Sequence, residues 1–179
     1  MPAENPSQQR QIETQYLIST NKFISLSILT MGLYTIWWAY KEWRFFQQKE
    51  NRDLAPALRA IFGIVFLMQL FIRILNYTKK NGYQQKYAPT ALFIFYLLSN
   101  FIGFLPDPFS FLVYLNVLFL VPPFEAINFA KRNATNVIII EQDQFNTKQI
   151  VLLVIGLLLW MFTILLYLFP NQIYPQPIY

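Results

Sequence analysis

Between Gln149 and Phe169 the chain carries no charged side chain. At about 1.5 Å per residue, QIVLLVIGLLLWMFTILLYLF is long enough as a helix to cross about 30 Å of hydrocarbon. Four further apolar stretches, at residues 23–40, 57–77, 88–105 and 109–129, are separated by short polar or basic connections, so that 148–169 is the last and cleanest of five. With 55 % hydrophobic and 18 % aromatic residues and a mean hydropathy of +0.34, the sequence is too apolar for an ordinary soluble domain of 179 residues. The expected fold is all-α: a single polytopic membrane helix bundle of about four or five membrane segments, with polar tails at 1–22 and 170–179.

Composition then removes most chemistry. Cysteine and histidine are both absent, which excludes disulfides, Cys- or His-bearing metal sites, thiol nucleophiles and imidazole bases. Neither a Gly-rich phosphate loop nor a nucleophile in a recognisable setting occurs, and Glu141 with Asp143 lacks a third metal ligand, so no catalytic, cofactor or metal site is expected. The net charge of +5 comes from Lys and Arg in short runs between apolar stretches, which fits membrane flanks rather than a nucleic-acid surface. The first twenty residues are polar, without a basic region leading into an apolar run, so insertion is expected to use the first internal apolar segment.

The first segment closes on Trp37, Trp38, Tyr40 and Trp43, whose amphipathic rings suit the headgroup level, although packing against neighbouring helices fits them too. From Lys41 the sequence KEWRFFQQKENR places Lys41, Arg44, Gln48 and Arg52 on one helical face and Trp43 and Phe46 on another. Residues 41–53 are therefore expected to form an amphipathic interfacial helix. The second segment carries Arg59, Gln69 and Arg73, which leaves a short apolar core from Ala60 to Met68. Pro106-Asp107-Pro108 makes a tight reversal after the third segment, and Pro122-Pro123 interrupts the fourth. Asn136 to Ile140 reads as a short strand or an interface-dipping loop.

Orientation follows from positive charge. The turn at Pro106 to Ser110 and the tail from Asn171 hold no Lys or Arg, whereas Lys79 to Lys86 and Lys131 to Lys148 do, which puts the C-terminus on the non-cytoplasmic side. Five full spans would then place the basic stretch Lys41 to Arg52 outside, against the rule. Either the Arg-bearing second segment is re-entrant or interfacial, with the N-terminus outside, or the first is a hairpin broken near Gly32, with the N-terminus inside. The balance falls slightly toward five helical segments with the N-terminus inside and one basic loop that breaks the rule.

Within the first segment, Thr30, Gly32, Tyr34 and Trp38 spell T-x-G-x-Y-x-x-x-W. This resembles the signature of a bacterial family of small multi-pass membrane proteins of unknown function. The likeness covers about the first third of the chain, and it implies an inner-membrane protein without a family catalytic residue to carry over. Read from the residues alone, Ser25, Thr30 and Gly32 form a small-residue surface on which another backbone can pack closely, in the same chain or in a partner.

Among the polar groups, Glu125 adjoins a helical core and is paired by expected depth with Arg73, as a candidate intramembrane ion pair; the plainer alternative seats it at the interface with Lys131 or Arg132. The expected function is a non-enzymatic membrane subunit or scaffold that docks membrane lipid or other membrane-protein subunits. The alternative is a small oligomeric transporter or channel using Glu125 and Arg73.

Overall fold

The computed structural model describes residues 12–52 and 54–169; residues 1–11 of the expected N-terminal tail and the expected C-terminal tail at 170–179 lie outside them. Among the described residues the chain is mostly helical, with a single short ribbon: β1 (Gln15–Leu17) pairs in parallel with β2 (Ile139–Glu141), Gln15 opposite Ile139. The short-strand reading of residues 136–140 thus holds, shifted toward the C-terminal side. Described residues from the expected N-terminal tail enter the core, with Leu17 and Ile18 both 3 % exposed.

The first apolar stretch is not one helix. It is α1 (Thr20–Leu29) and α2 (Leu33–Glu50), separated by a turn in which Met31 has φ 50° and Gly32 φ 85°. Glycine tolerates that left-handed backbone at no steric cost, so the chain reverses here. Phe23 of α1 packs on both Tyr34 and Trp38 of α2, with ring centroids 6.2 and 5.5 Å apart, so the two helices form a hairpin. α2 then runs without a break through the stretch expected to lie on a surface. Glu42, Trp43, Phe45 and Phe46 are buried, so this half of α2 is a core helix; Asp53 lies outside the described residues.

The second stretch is also broken, into α3 (Pro56–Ile61) and α4 (Gly63–Lys80) at Phe62. The exposed face of α4 changes character along its length, from Ile64 and Val65 to Gln69, Asn76, Lys79 and Lys80. α5 (Pro89–Asn100) ends in a 3₁₀ turn, Phe101–Phe104, and a second 3₁₀ helix, Phe109–Leu120, leads into α6 (Val121–Arg132). Pro122 and Pro123 do not interrupt this segment. They fall in the first turn of α6, where the 3₁₀ helix passes into an α-helix, and the segment stays helical from Phe109 to Arg132. α7 (Thr147–Leu168) completes the fold.

Two of these helices are long and apolar enough to cross a membrane, Phe109–Arg132 and Thr147–Leu168, and Pro89–Phe104 is a shorter apolar helix. The five expected spans are therefore not five long helices: 23–40 and 57–77 are each divided by a bend. The main core gathers Trp43, Phe45 and Phe46 of α2, Leu70, Phe71 and Ile74 of α4, and Ala126, Ile127 and Ala130 of α6. α7 stands largely apart, with only 6 % of its most apolar stretch buried.

Candidate functional site

The signature residues build the hairpin. Thr30 Oγ1 donates to the Leu26 carbonyl at 2.7 Å and accepts from the Tyr34 backbone N–H at 3.0 Å, stapling the end of α1 to the start of α2. The amide of Gly32 reaches the Ser27 carbonyl at 2.8 Å, and that of Met31 the Ile28 carbonyl at 3.0 Å. The indole N–H of Trp160 in α7 donates to the same Ile28 carbonyl at 3.2 Å. The carbonyls of Leu26, Ser27 and Ile28 at this helix end are thus met by protein groups. Ser25 is exposed and outside this network.

Close packing falls to a different glycine from the one the sequence suggested. Gly32 faces open space apart from Thr35 Oγ1 at 3.9 Å from where its Cβ would lie, whereas a Cβ on Gly156 of α7 would meet Thr30 Cα at 2.6 Å and the Leu29 carbonyl closer still. Gly156 lets α7 lie directly on the hairpin turn. Its sequence signal was a lone glycine in an otherwise bulky apolar helix.

At the other end of the hairpin, α7 begins with a reciprocal cap. The Asn146 side chain accepts from the Gln149 amide at 2.9 Å, and Gln149 Oε1 accepts from the Asn146 amide at 3.1 Å. Gln149 is buried, and its Nε2 donates to the Tyr34 hydroxyl at 3.2 Å. Lys22 of α1 donates to the carbonyls of Gln142, Asp143 and Gln144 at 3.1, 3.2 and 2.7 Å, which ties the hairpin base to the loop before α7. Desolvation lowers the Lys22 pKa, and the Asp143 charge partly restores it.

Between this loop, β1 and one face of α2 opens a cleft of about 830 Å³. Trp37, Lys41, Arg44 and Gln48 line it at helical spacing from α2, and Glu13, Asp143 and Lys148 from the facing segments. Arg44 pairs with Glu13 and also donates to the Tyr40 hydroxyl at 3.0 Å. Glu141 takes two hydrogen bonds from Arg132, at 2.7 and 3.3 Å, which hold its carboxyl below the usual range. Lys148 lies over the Trp37 ring at 5.1 Å. Among the described residues neither Lys41 nor Lys148 is in an ion pair. Burial lowers the Lys41 pKa to about 8; the Glu42 charge opposes that shift and the Lys131 charge adds to it.

Trp37 and Tyr40 are partly exposed at this cleft, whereas Trp38 and Trp43 are core residues at 2 % and 1 % exposure. The four aromatics therefore do not form a single boundary ring.

Arg73 and Glu125 are not brought together. Arg73 pairs with Glu50 at 2.6 Å and lies 5.5 Å from the Trp43 ring centroid, while Glu125 is exposed and accepts from the Thr20 hydroxyl at 3.0 Å. Among the described residues the buried ion pair is Glu42 with Lys131, at 2.6 Å, 3 % and 2 % exposed, with the ammonium 4.7 Å from the Phe45 ring centroid. The sequence did signal Glu42, which lies four residues after Trp38 and three before Phe45, on the face that those rings bury. Among the described residues no cluster of carboxylates is arranged to hold a metal ion. No protein-family model, curated protein or solved structure matches this chain.

Proposed function

We propose that this chain is a non-enzymatic integral membrane subunit or scaffold, and that α7 is the surface on which another membrane protein docks. The observation that carries this reading is the bareness of α7. It is held at Gln149, Gly156 and Trp160, while Val151, Val154, Leu158, Met161, Phe162 and Leu165 stay exposed around its circumference. A stripe of this size left unpacked suits lipid or a partner helix.

In the proposed topology α5, Phe109–Arg132 and α7 cross the membrane, while α1 and the start of α2 enter and return on the same side. The hairpin is supported by the parallel pairing of β1 with β2 and by the Lys22 contacts, which keep the start of α1 beside the start of α7. Lys41 to Arg52, Lys79 to Lys86 and Lys131 to Lys148 then all lie inside, and the Arg-free and Lys-free turn at Pro106 to Ser110 lies outside, without the exception that five full spans require. The bend at α3 and α4, with Leu58, Ile61, Phe62, Ile64 and Val65 exposed, would rest in the inner leaflet. The likeness of Thr30, Gly32, Tyr34 and Trp38 to the bacterial signature supports placement in an inner membrane.

Gentle purification of the tagged protein from its native membrane, with mass spectrometry of what accompanies it, tests the reading. A stoichiometric second protein, lost when Leu158 and Phe162 are both replaced by alanine, is the expected result. Recovery alone, or only as copies of this chain, would overturn it.

A further inference from the structure

We propose that the cleft between α2, β1 and the loop before α7 binds the phosphate of an anionic phospholipid headgroup through Lys41 and Lys148. The first argument is charge accounting. Glu13 is taken by Arg44 and Glu141 by Arg132, and Asp143 lies in the field of Lys22. The cations that remain without an ion pair, among the described residues that line the cleft, are Lys41 and Lys148. A half-buried ammonium without a counter-ion is costly, as the lowered Lys41 pKa reflects, and an anion entering the cleft relieves that cost.

The second argument is shape and place. A volume of about 830 Å³ suits a headgroup-sized polar ligand rather than a single ion. Trp37 and Tyr40 stand beside the cations, and Lys148 is in the first turn of the more apolar of the two candidate spans, so the cleft opens where that helix would meet the headgroup layer. Gln48 and Gln144, which also line the cleft, add amides that can meet glycerol or ester oxygens. This inference deepens the membrane-scaffold reading and rests on it only for the lipid as the source of the phosphate.

The test uses the full chain in mild detergent, titrated with dioleoylphosphatidylglycerol, dioleoylphosphatidylcholine or inorganic phosphate and followed by native mass spectrometry. Phosphatidylglycerol is expected to be retained in preference to phosphatidylcholine. Lys148→Gln should weaken retention about tenfold, the loss of one charge-assisted hydrogen bond, and Lys41→Gln by at least as much. Lys148 is exposed, so its variant keeps the test valid even if Lys41→Gln folds poorly. Lys79→Gln/Lys80→Gln, which removes two exposed cations outside the cleft, should retain lipid like the unaltered chain. Equal loss in that control, or no loss in Lys148→Gln, would overturn the proposal. Displacement of the lipid by millimolar inorganic phosphate would overturn the lipid as ligand and assign the cleft to a soluble phosphate compound. Lipid retained without any protein partner would leave the cleft standing and remove the scaffold reading; the reverse result would do the opposite.

Discussion

At Gly156 a methyl group has nowhere to go, because the backbone of Leu29 and Thr30 occupies the position of its Cβ. Gly156→Ala is therefore expected to push α7 off the hairpin and to destabilise the chain by about 1–3 kcal/mol, the range for overpacking a tight contact. Gly63→Ala is the control: nothing lies within 4 Å of its Cβ position, and the change should be neutral or favourable by about 0.5–1 kcal/mol. Thermal unfolding in detergent, followed by tryptophan fluorescence, reads both, and equal melting of the two variants would refute the close-packing role. Glu42 and Lys131 offer a second contrast. Removing one partner strands the other as a buried charge, so Glu42→Gln or Lys131→Met should each cost about 3–5 kcal/mol, whereas the pair Glu42→Met/Lys131→Met should recover most of that loss. If the double change is as damaging as the sum of the singles, the ion pair is not the interaction that matters there.

The hairpin is the element whose local chemistry is most completely accounted for. Thr30→Val keeps the shape of the side chain but removes the oxygen that serves Leu26 and Tyr34. It should cost about 1–3 kcal/mol through the buried Tyr34 amide alone. In the proposed topology the same hairpin returns α2 to the side of the membrane from which α1 entered. Because the chain has no cysteine, single cysteines report on topology directly. Gln48→Cys and Lys80→Cys are expected to resist a membrane-impermeant maleimide added outside, and Pro106→Cys to react with it. Labelling at Gln48 from outside would replace the hairpin topology with a full first span.

For the molecule as a whole, protonation of Lys41 couples stability to pH. Its pKa falls from the ordinary 10.5 to about 8 in the folded chain, so between those values the unfolded chain holds the extra proton and stability from this group rises with pH. The charged groups around it are Glu42 and Lys131 in the core and Arg44, Glu13 and Lys148 in the cleft. The melting temperature of the unaltered chain relative to Lys41→Met should therefore climb between about pH 8 and pH 10.5, and a flat difference would mean that Lys41 is not desolvated. Anion binding in the cleft should weaken as pH rises through about 8, where the folded chain loses this ammonium.

How much of this was legible beforehand depended on whether the cause was local. The charge-free run at 149–169 announced a long apolar helix, and the short spacing of apolar stretches announced a helical chain, because backbone hydrogen bonding in an apolar setting leaves few alternatives. Gly32 marked a place where the first segment could break, since a left-handed backbone favours glycine. The lone glycine of α7 and the carboxylate set between Trp38 and Phe45 were local signals, but what Gly156 packs on, which tryptophans face inward and what Glu42 pairs with were not written in any one segment. Gly156 depends on α1 arriving from more than a hundred residues away, Glu42 on Lys131 of α6, and Arg73 on Glu50 rather than Glu125. The cleft likewise forms only when β1 pairs with β2 and brings Glu13 against Arg44. Periodicity and composition report what each helix needs, and the tertiary structure decides which neighbour supplies it, because depth and partner are set by packing between distant segments.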